Sequence, residues 1–109
     1  MLDVKELADF ERILREHRVV LADFYAEWCA PCQVMAPLFN AMANKFGQHL
    51  TIAKCNADEC GQIMKKYGVS AIPTFILFFE GKKVNVVYGV EEKELINLFT
   101  EAFLLTQSS

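Results

Sequence analysis

The segment that most restricts this chain is the apolar run Val19-Val20-Leu21-Ala22-Asp23-Phe24-Tyr25, which passes within four residues into Trp28-Cys29-Ala30-Pro31-Cys32. An almost unbroken apolar run lacks the in–out alternation of a half-solvated strand and predicts a strand covered on both faces. The covering layers are legible on either side. Leu7, Phe10, Ile13 and Leu14 recur at helical spacing over residues 6–17. After Pro31, the residues Met35, Leu38, Phe39, Met42 and Phe46 predict a second helix, ending at Gly47 as its C′ residue and kinked at the internal Pro37. Leu50–Cys55 reads as a strand and residues 59–67 as a brief helix closed by Gly68. Thr74–Phe79 and Lys83–Tyr88 read as strands joined through the hairpin signal Glu80-Gly81-Lys82. A last helix is predicted from about Glu91 to Leu105, with Leu95, Ile96, Leu98, Phe99 and Phe103 on its apolar face, and a short first strand near Leu2–Val4. Alternating helices and strands require parallel crossovers, whereas the final hairpin is antiparallel. The expected architecture is α/β: a central mixed five-stranded sheet flanked by four helices.

At 109 residues the chain suits one domain, read as residues 1–109 with a polar tail over 105–109. With 53% hydrophobic residues it can bury a core without disulfide staples. A formal net charge of -3 gives no electrostatic reason to bind nucleic acid or an anionic membrane surface. Charges at Asp3, Lys5 and Glu6 interrupt the N-terminus, so it does not read as a secretory signal, and no apolar stretch approaches the roughly 20 residues of a membrane span. The expectation is a soluble, cytoplasmic monomer. In a reducing compartment, four cysteines point to redox chemistry or metal binding rather than to structural bridges.

Their spacing narrows the choice. Cys29 and Cys32 fall where a buried strand gives way to a helix, and Pro31 suits a first helical turn, where its missing N–H costs no bond. Residues i and i+3 share a helix face, so the two sulfurs can join as a disulfide. Unpaired N–H groups and the helix dipole favour a thiolate at Cys29, while Cys32, one turn inside, has less of that help and less solvent. Cys29 is therefore the expected nucleophile and Cys32 the resolving thiol. Half of a zinc site is the competing reading, with Cys55 and Cys60 completing four ligands, although the 55–60 spacing crosses a predicted element boundary. Asp23 also has two readings: a buried acid with a raised pKa, or an edge-strand carboxylate facing water. Trp28 is either core packing or a contact residue beside the nucleophile. His17 and His49 read as surface residues.

The segment Asp23-Phe24-Tyr25-Ala26-Glu27-Trp28-Cys29-Ala30-Pro31-Cys32, followed by Ala36-Pro37, Ile72-Pro73-Thr74 and Gly89, resembles the thioredoxin family over roughly Leu2 to Leu105. One departure is Ala30, where the family usually has glycine. The resemblance implies the thioredoxin fold and a protein-disulfide reductase cycling Cys29–Cys32 between dithiol and disulfide. It makes Asp23 the buried acid that assists the resolving thiol, with Lys54 as its partner. It implies a cis Ile72–Pro73 bond facing the dithiol, and an apolar client-binding rim of Trp28, Pro31, Ile72, Gly89 and Val90. Electrons would come from a flavoprotein thioredoxin reductase, with NADPH and FAD held by that partner and no cofactor or metal on this chain. Peroxiredoxins, methionine sulfoxide reductases and ribonucleotide reductase are the implied clients. An oxidase or isomerase role is the nearest rival. Cys55 reads as an inert buried thiol. Cys60, expected to be accessible at the start of the short helix, sits in a region where some family members carry a regulatory cysteine.

Overall fold

The apolar run is the central strand of the sheet. A computed structural model describes residues 1–108. The elements are β1 (Leu2–Asp3), α1 (Leu7–Glu16), β2 (Val19–Tyr25), α2 (Ala30–Phe46), β3 (Thr51–Asn56), α3 (Gly61–Lys66), β4 (Thr74–Phe79), β5 (Lys82–Tyr88) and α4 (Glu92–Thr106). The strand order is β1-β3-β2-β4-β5, with β1 and β2 parallel to β3, β2 antiparallel to β4, and β4 antiparallel to β5. This is the expected mixed five-stranded sheet with four helices.

Alternation along β2 divides the core into two layers. Val20, Ala22 and Phe24 join Phe10, Ile13 and Leu14 of α1 and Ile63 of α3 on one face. Val19 and Leu21 join Met35 and Phe39 of α2 and Leu95, Leu98 and Phe99 of α4 on the other. By the same parity Asp23 belongs to the α2/α4 face. Lys54 does too, because it alternates with Ala53 and Cys55, which pack on the α1/α3 side. Asp23 and Lys54 are register partners across β2 and β3. The sheet therefore places these two ionisable residues side by side.

Three local expectations are corrected. Gly47 does not close α2 in the left-handed conformation, having φ -62° and ψ -21°. It is needed for closeness instead, since a Cβ there would collide with the Ala43 carbonyl oxygen. Ile96 is exposed, and Ala102 takes its place on the buried face of α4. The polar tail does not begin at residue 105. The helix α4 continues to Thr106, whose hydroxyl donates to Phe103 O, and Ser108 donates through its N–H to Leu105 O at 3.2 Å. Small hydroxyl side chains thus complete the last turn by satisfying its free carbonyls. The hairpin falls where expected, with Glu80 (φ 53°) and Gly81 (φ 82°) both left-handed, as the twist of a tight β-hairpin requires.

Candidate active site

At the C-terminal end of β2 the chain leaves the sheet and enters α2, and Cys29 is the residue that caps this helix. Its backbone is extended (φ -85°, ψ 110°), and its sulfur accepts the N–H of Cys32 at 3.2 Å. Pro31 occupies the first turn, as expected. Cys29 and Cys32 are joined in a disulfide with their Cα atoms 5.2 Å apart. The expected difference in solvent access is absent in this oxidised form, with Cys29 4% and Cys32 6% exposed. Both cysteines pack in one small cluster with Ala26, against Tyr25, Ala57 and Ile72. What distinguishes the two is the helix end: one sulfur caps it, and the other lies a turn inside.

The second wall of the site is the segment before β4. The Ile72–Pro73 peptide is cis, and the Ile72 carbonyl oxygen lies 3.9 Å from Cys29 Sγ. Gly89, at φ +72°, donates its N–H to Pro73 O at 2.9 Å, which ties the β5–α4 loop to the same wall. Only a residue free of left-handed strain holds that turn cheaply, which accounts for glycine. Trp28 is 71% exposed, and Val90 is also exposed. Core packing is therefore excluded for Trp28.

Asp23 lies behind the disulfide. At 4% exposure on the central strand it is a buried acid, and the water-facing alternative falls. Its carboxylate is 3.0 Å from Lys54 Nζ. That ammonium also sits over the Tyr25 ring at 4.5 Å and the Phe39 ring at 5.4 Å. Burial pushes the Asp23 carboxyl up from the ordinary range, and the nearby Lys54 charge pulls the other way without reversing it. A cavity of about 190 Å³ is lined by both Asp23 and Cys32, together with Met35, Ala36, Phe39 and Phe75. The acid and the second sulfur therefore open onto one space.

Three site residues escaped the sequence reading. Asp58 receives the Trp28 Nε1–H at 3.0 and 3.1 Å from its two carboxylate oxygens. Its position is fixed by a turn in which Asn56 Oδ1 accepts the Asp58 N–H at 3.0 Å. The Asn-Ala-Asp sequence directly after a strand carries that signal, since Asn bonds readily to a backbone N–H two residues on. Gln33 Nε2 donates to Glu27 O at 3.1 Å, and Val34, two residues past Cys32, is exposed. Cys60 is fully buried rather than accessible, because the turn after β3 folds it inward. Cys55 and Cys60 pack with the α1/α3 layer, apart from the Cys29–Cys32 cluster, so the four sulfurs do not converge. Among the described residues, no three His, Cys, Asp or Glu side chains are grouped as metal ligands, and no helix is long and apolar enough to cross a membrane.

A sequence model of the thioredoxin family matches residues 2–102. The chain is 34% identical over 105 residues to a probable thioredoxin-2 of Caenorhabditis elegans, covering 95% of this chain and 72% of the relative. It is 44% identical over 78 residues to a thioredoxin of Chlamydia pneumoniae, covering 72% of this chain and 76% of the relative. The X-ray structure of Fasciola hepatica thioredoxin superposes with a TM-score of 0.85 at 33% identity, over 94% of this chain and 99% of that one. Sequence, fold and a redox-active disulfide capping a helix agree, and the chain belongs to the thioredoxin family of thiol–disulfide oxidoreductases.

Proposed function

We propose that this chain works as a general reductase of protein disulfides. The observation that carries this reading is the placement of Cys29. It caps a 17-residue helix and faces the Ile72 backbone. The exposed Trp28 and Val90, with Ile72, Pro31 and Gly89, are assigned here as the apolar rim that receives clients. An extended client segment would pair with the Ile72 backbone groups as an added strand and rest its side chains on that rim. Cys29 thiolate, stabilised at the helix end, attacks the client disulfide; a Cys29–client bond forms and the first client thiolate leaves. Cys32 then gives up its proton and attacks Cys29 Sγ, closing the Cys29–Cys32 bond and releasing the second client thiol. Two electrons pass to the client.

Asp23 is the acceptor of the Cys32 proton in this scheme. A raised pKa brings a carboxyl closer to a thiol in proton affinity, and the shared cavity has room for water to link them. Lys54 sets how far the acid is raised. The reduced state would be regenerated by a thioredoxin reductase carrying FAD and using NADPH. Peroxiredoxins, methionine sulfoxide reductases and ribonucleotide reductase are suitable clients, and the setting is a reducing cytoplasm with the chain as a monomer.

Insulin reduction in the presence of dithiothreitol, followed by turbidity, tests the activity. The chain should accelerate precipitation and Cys29→Ser should not; equal rates would overturn the reading. Equilibration with glutathione separates reductase from oxidase, since a reductase couple lies near about -270 mV and an oxidase couple near about -120 mV.

A further inference from the structure

The fold brings together the two cysteines that lie outside the active pair. Cys55 is the fifth residue of β3, and its side chain faces the α1/α3 layer. The chain turns immediately after that strand. The Asn56 carbonyl accepts the N–H groups of Glu59 and Cys60 at 2.8 and 3.0 Å. This turn carries Cys60 back over the end of β3, where it caps α3 in the same core cluster as Cys55, and both residues are fully buried. Both thiols are free, and the proximity of each to the other holds Cys60 below its ordinary value and pushes Cys55 up.

Two of the four residues between them, Ala57 and Asp58, reach the active site. The Ala57 N–H donates to Tyr25 O at 2.7 Å, and its side chain packs against the Cys29–Cys32 cluster. Asp58 holds the indole of Trp28. A short, hydrogen-bonded turn thus connects residues 55 and 60 to Tyr25 and Trp28.

We propose that Cys55 and Cys60 form a second redox couple, closed to a disulfide by hydroperoxides, and that closure displaces the 56–59 turn and loosens Trp28 from Asp58. In the first step the Cys60 thiolate takes the terminal oxygen of the hydroperoxide, which leaves as an alcohol, and Cys60 becomes a sulfenic acid. The Cys55 thiol then attacks that sulfur; the S–S bond forms and water leaves. Two thiols lose two electrons, and one hydroperoxide is reduced to alcohol and water. Because both sulfurs are buried, the reaction passes through local opening of α3, a six-residue helix too short to persist without its packing.

The test uses the reduced Cys29→Ser/Cys32→Ser chain, whose outcome does not depend on the reductase reading. After excess hydrogen peroxide and alkylation, the chain should have lost the mass of two hydrogen atoms and take up no alkylating agent, with a peptide joining Cys55 to Cys60. Trp28 is the only tryptophan, so its emission reports the rim directly. On oxidation the emission should shift toward that of an Asp58→Ala chain, and dithiothreitol should reverse it. Adding Cys60→Ser should abolish both changes. Peptide mapping of the peroxide-treated wild-type chain gives a second reading in case the double variant misfolds. The couple is refuted if both thiols stay alkylatable, if Cys60 only gains oxygen, or if the links join separate chains. A closed disulfide with unmoved emission refutes the connection to Trp28.

Discussion

Replacing Asp23 with asparagine isolates the electrostatic cost of the buried acid. Asparagine keeps the volume and can still accept a bond from Lys54, so the substitution removes little but charge. The carboxylate side chain is 6% exposed and that of Lys54 20%, which leaves the ammonium partly solvated and resting on two aromatic faces. The charge removed is thus the one that costs more to bury. Replacing such a pair ranges from neutral to stabilising by about 1–4 kcal/mol, whereas stranding a buried charge costs about 3–5 kcal/mol. The partial exposure of Lys54 favours the first outcome, and we expect Asp23→Asn to gain about 1–3 kcal/mol at pH 8. For a domain of this size each 1 kcal/mol moves Tm by roughly 4 °C.

The pH dependence follows from the sign of the shift. The folded carboxyl holds its proton more tightly than the unfolded one, whose ordinary value is 3.8. Folding is then favoured most below that value. As pH rises toward the folded pKa, wild-type stability falls by up to about 1.4 kcal/mol per pH unit, then levels off. Asp23→Asn lacks this decline, so the two stability curves should converge in acid and separate as pH rises. Urea unfolding of both oxidised chains between pH 3.5 and 8.5 (values chosen to span roughly the carboxyl range) measures the gap. Parallel curves, or a variant that becomes relatively weaker with rising pH, would refute the claim that desolvation outweighs the Lys54 attraction.

Other substitutions probe the remaining contacts. Asp58→Ala should leave stability within about 0.5 kcal/mol, because the bond it loses is exposed, yet shift Trp28 emission and slow insulin reduction about fivefold, equivalent to about 1 kcal/mol; unchanged emission and rate would contradict this. Gly89→Ala meets no atom within 4 Å of its new Cβ but must hold φ +72°, so a loss of about 1–2 kcal/mol in urea unfolding is expected from backbone strain alone. Phe39→Ala removes a ring centred 5.5 Å from Phe75 and 5.1 Å from Phe99, and should cost about 3–5 kcal/mol, lowering Tm by roughly 12 °C or more.

The sheet and its layers were legible because burial on both faces writes itself as an unbroken apolar run at β2 and β4, and helical period marks α1 and α4. The disulfide was legible because strand, cysteine spacing and proline coincide at one point. Asp23 was ambiguous in sequence, since an acid within an apolar strand can face either way until its neighbours are known. Its partner and its cavity come from sheet register and from α2, which local pattern does not encode. The role of Asp58 depends on a ring 30 residues away, which local sequence does not encode. Cys60 reads as accessible for a related reason: a helix start usually lies near solvent, but the Asn56 turn folds this one inward. Gly47 stands where a left-handed cap is common, and only the crowding against Ala43 reveals a different need.

The decisive measurement is the alkylation rate of each active-site thiol in the reduced chain as a function of pH, read by peptide mass. If the N-terminus of α2 stabilises an anion on the sulfur that caps it, Cys29 should react through a thiolate formed at lower pH than that of an ordinary cysteine, and far faster than Cys32 at neutral pH. Equal rates at the two sulfurs, or an ordinary titration at Cys29, would contradict the mechanism.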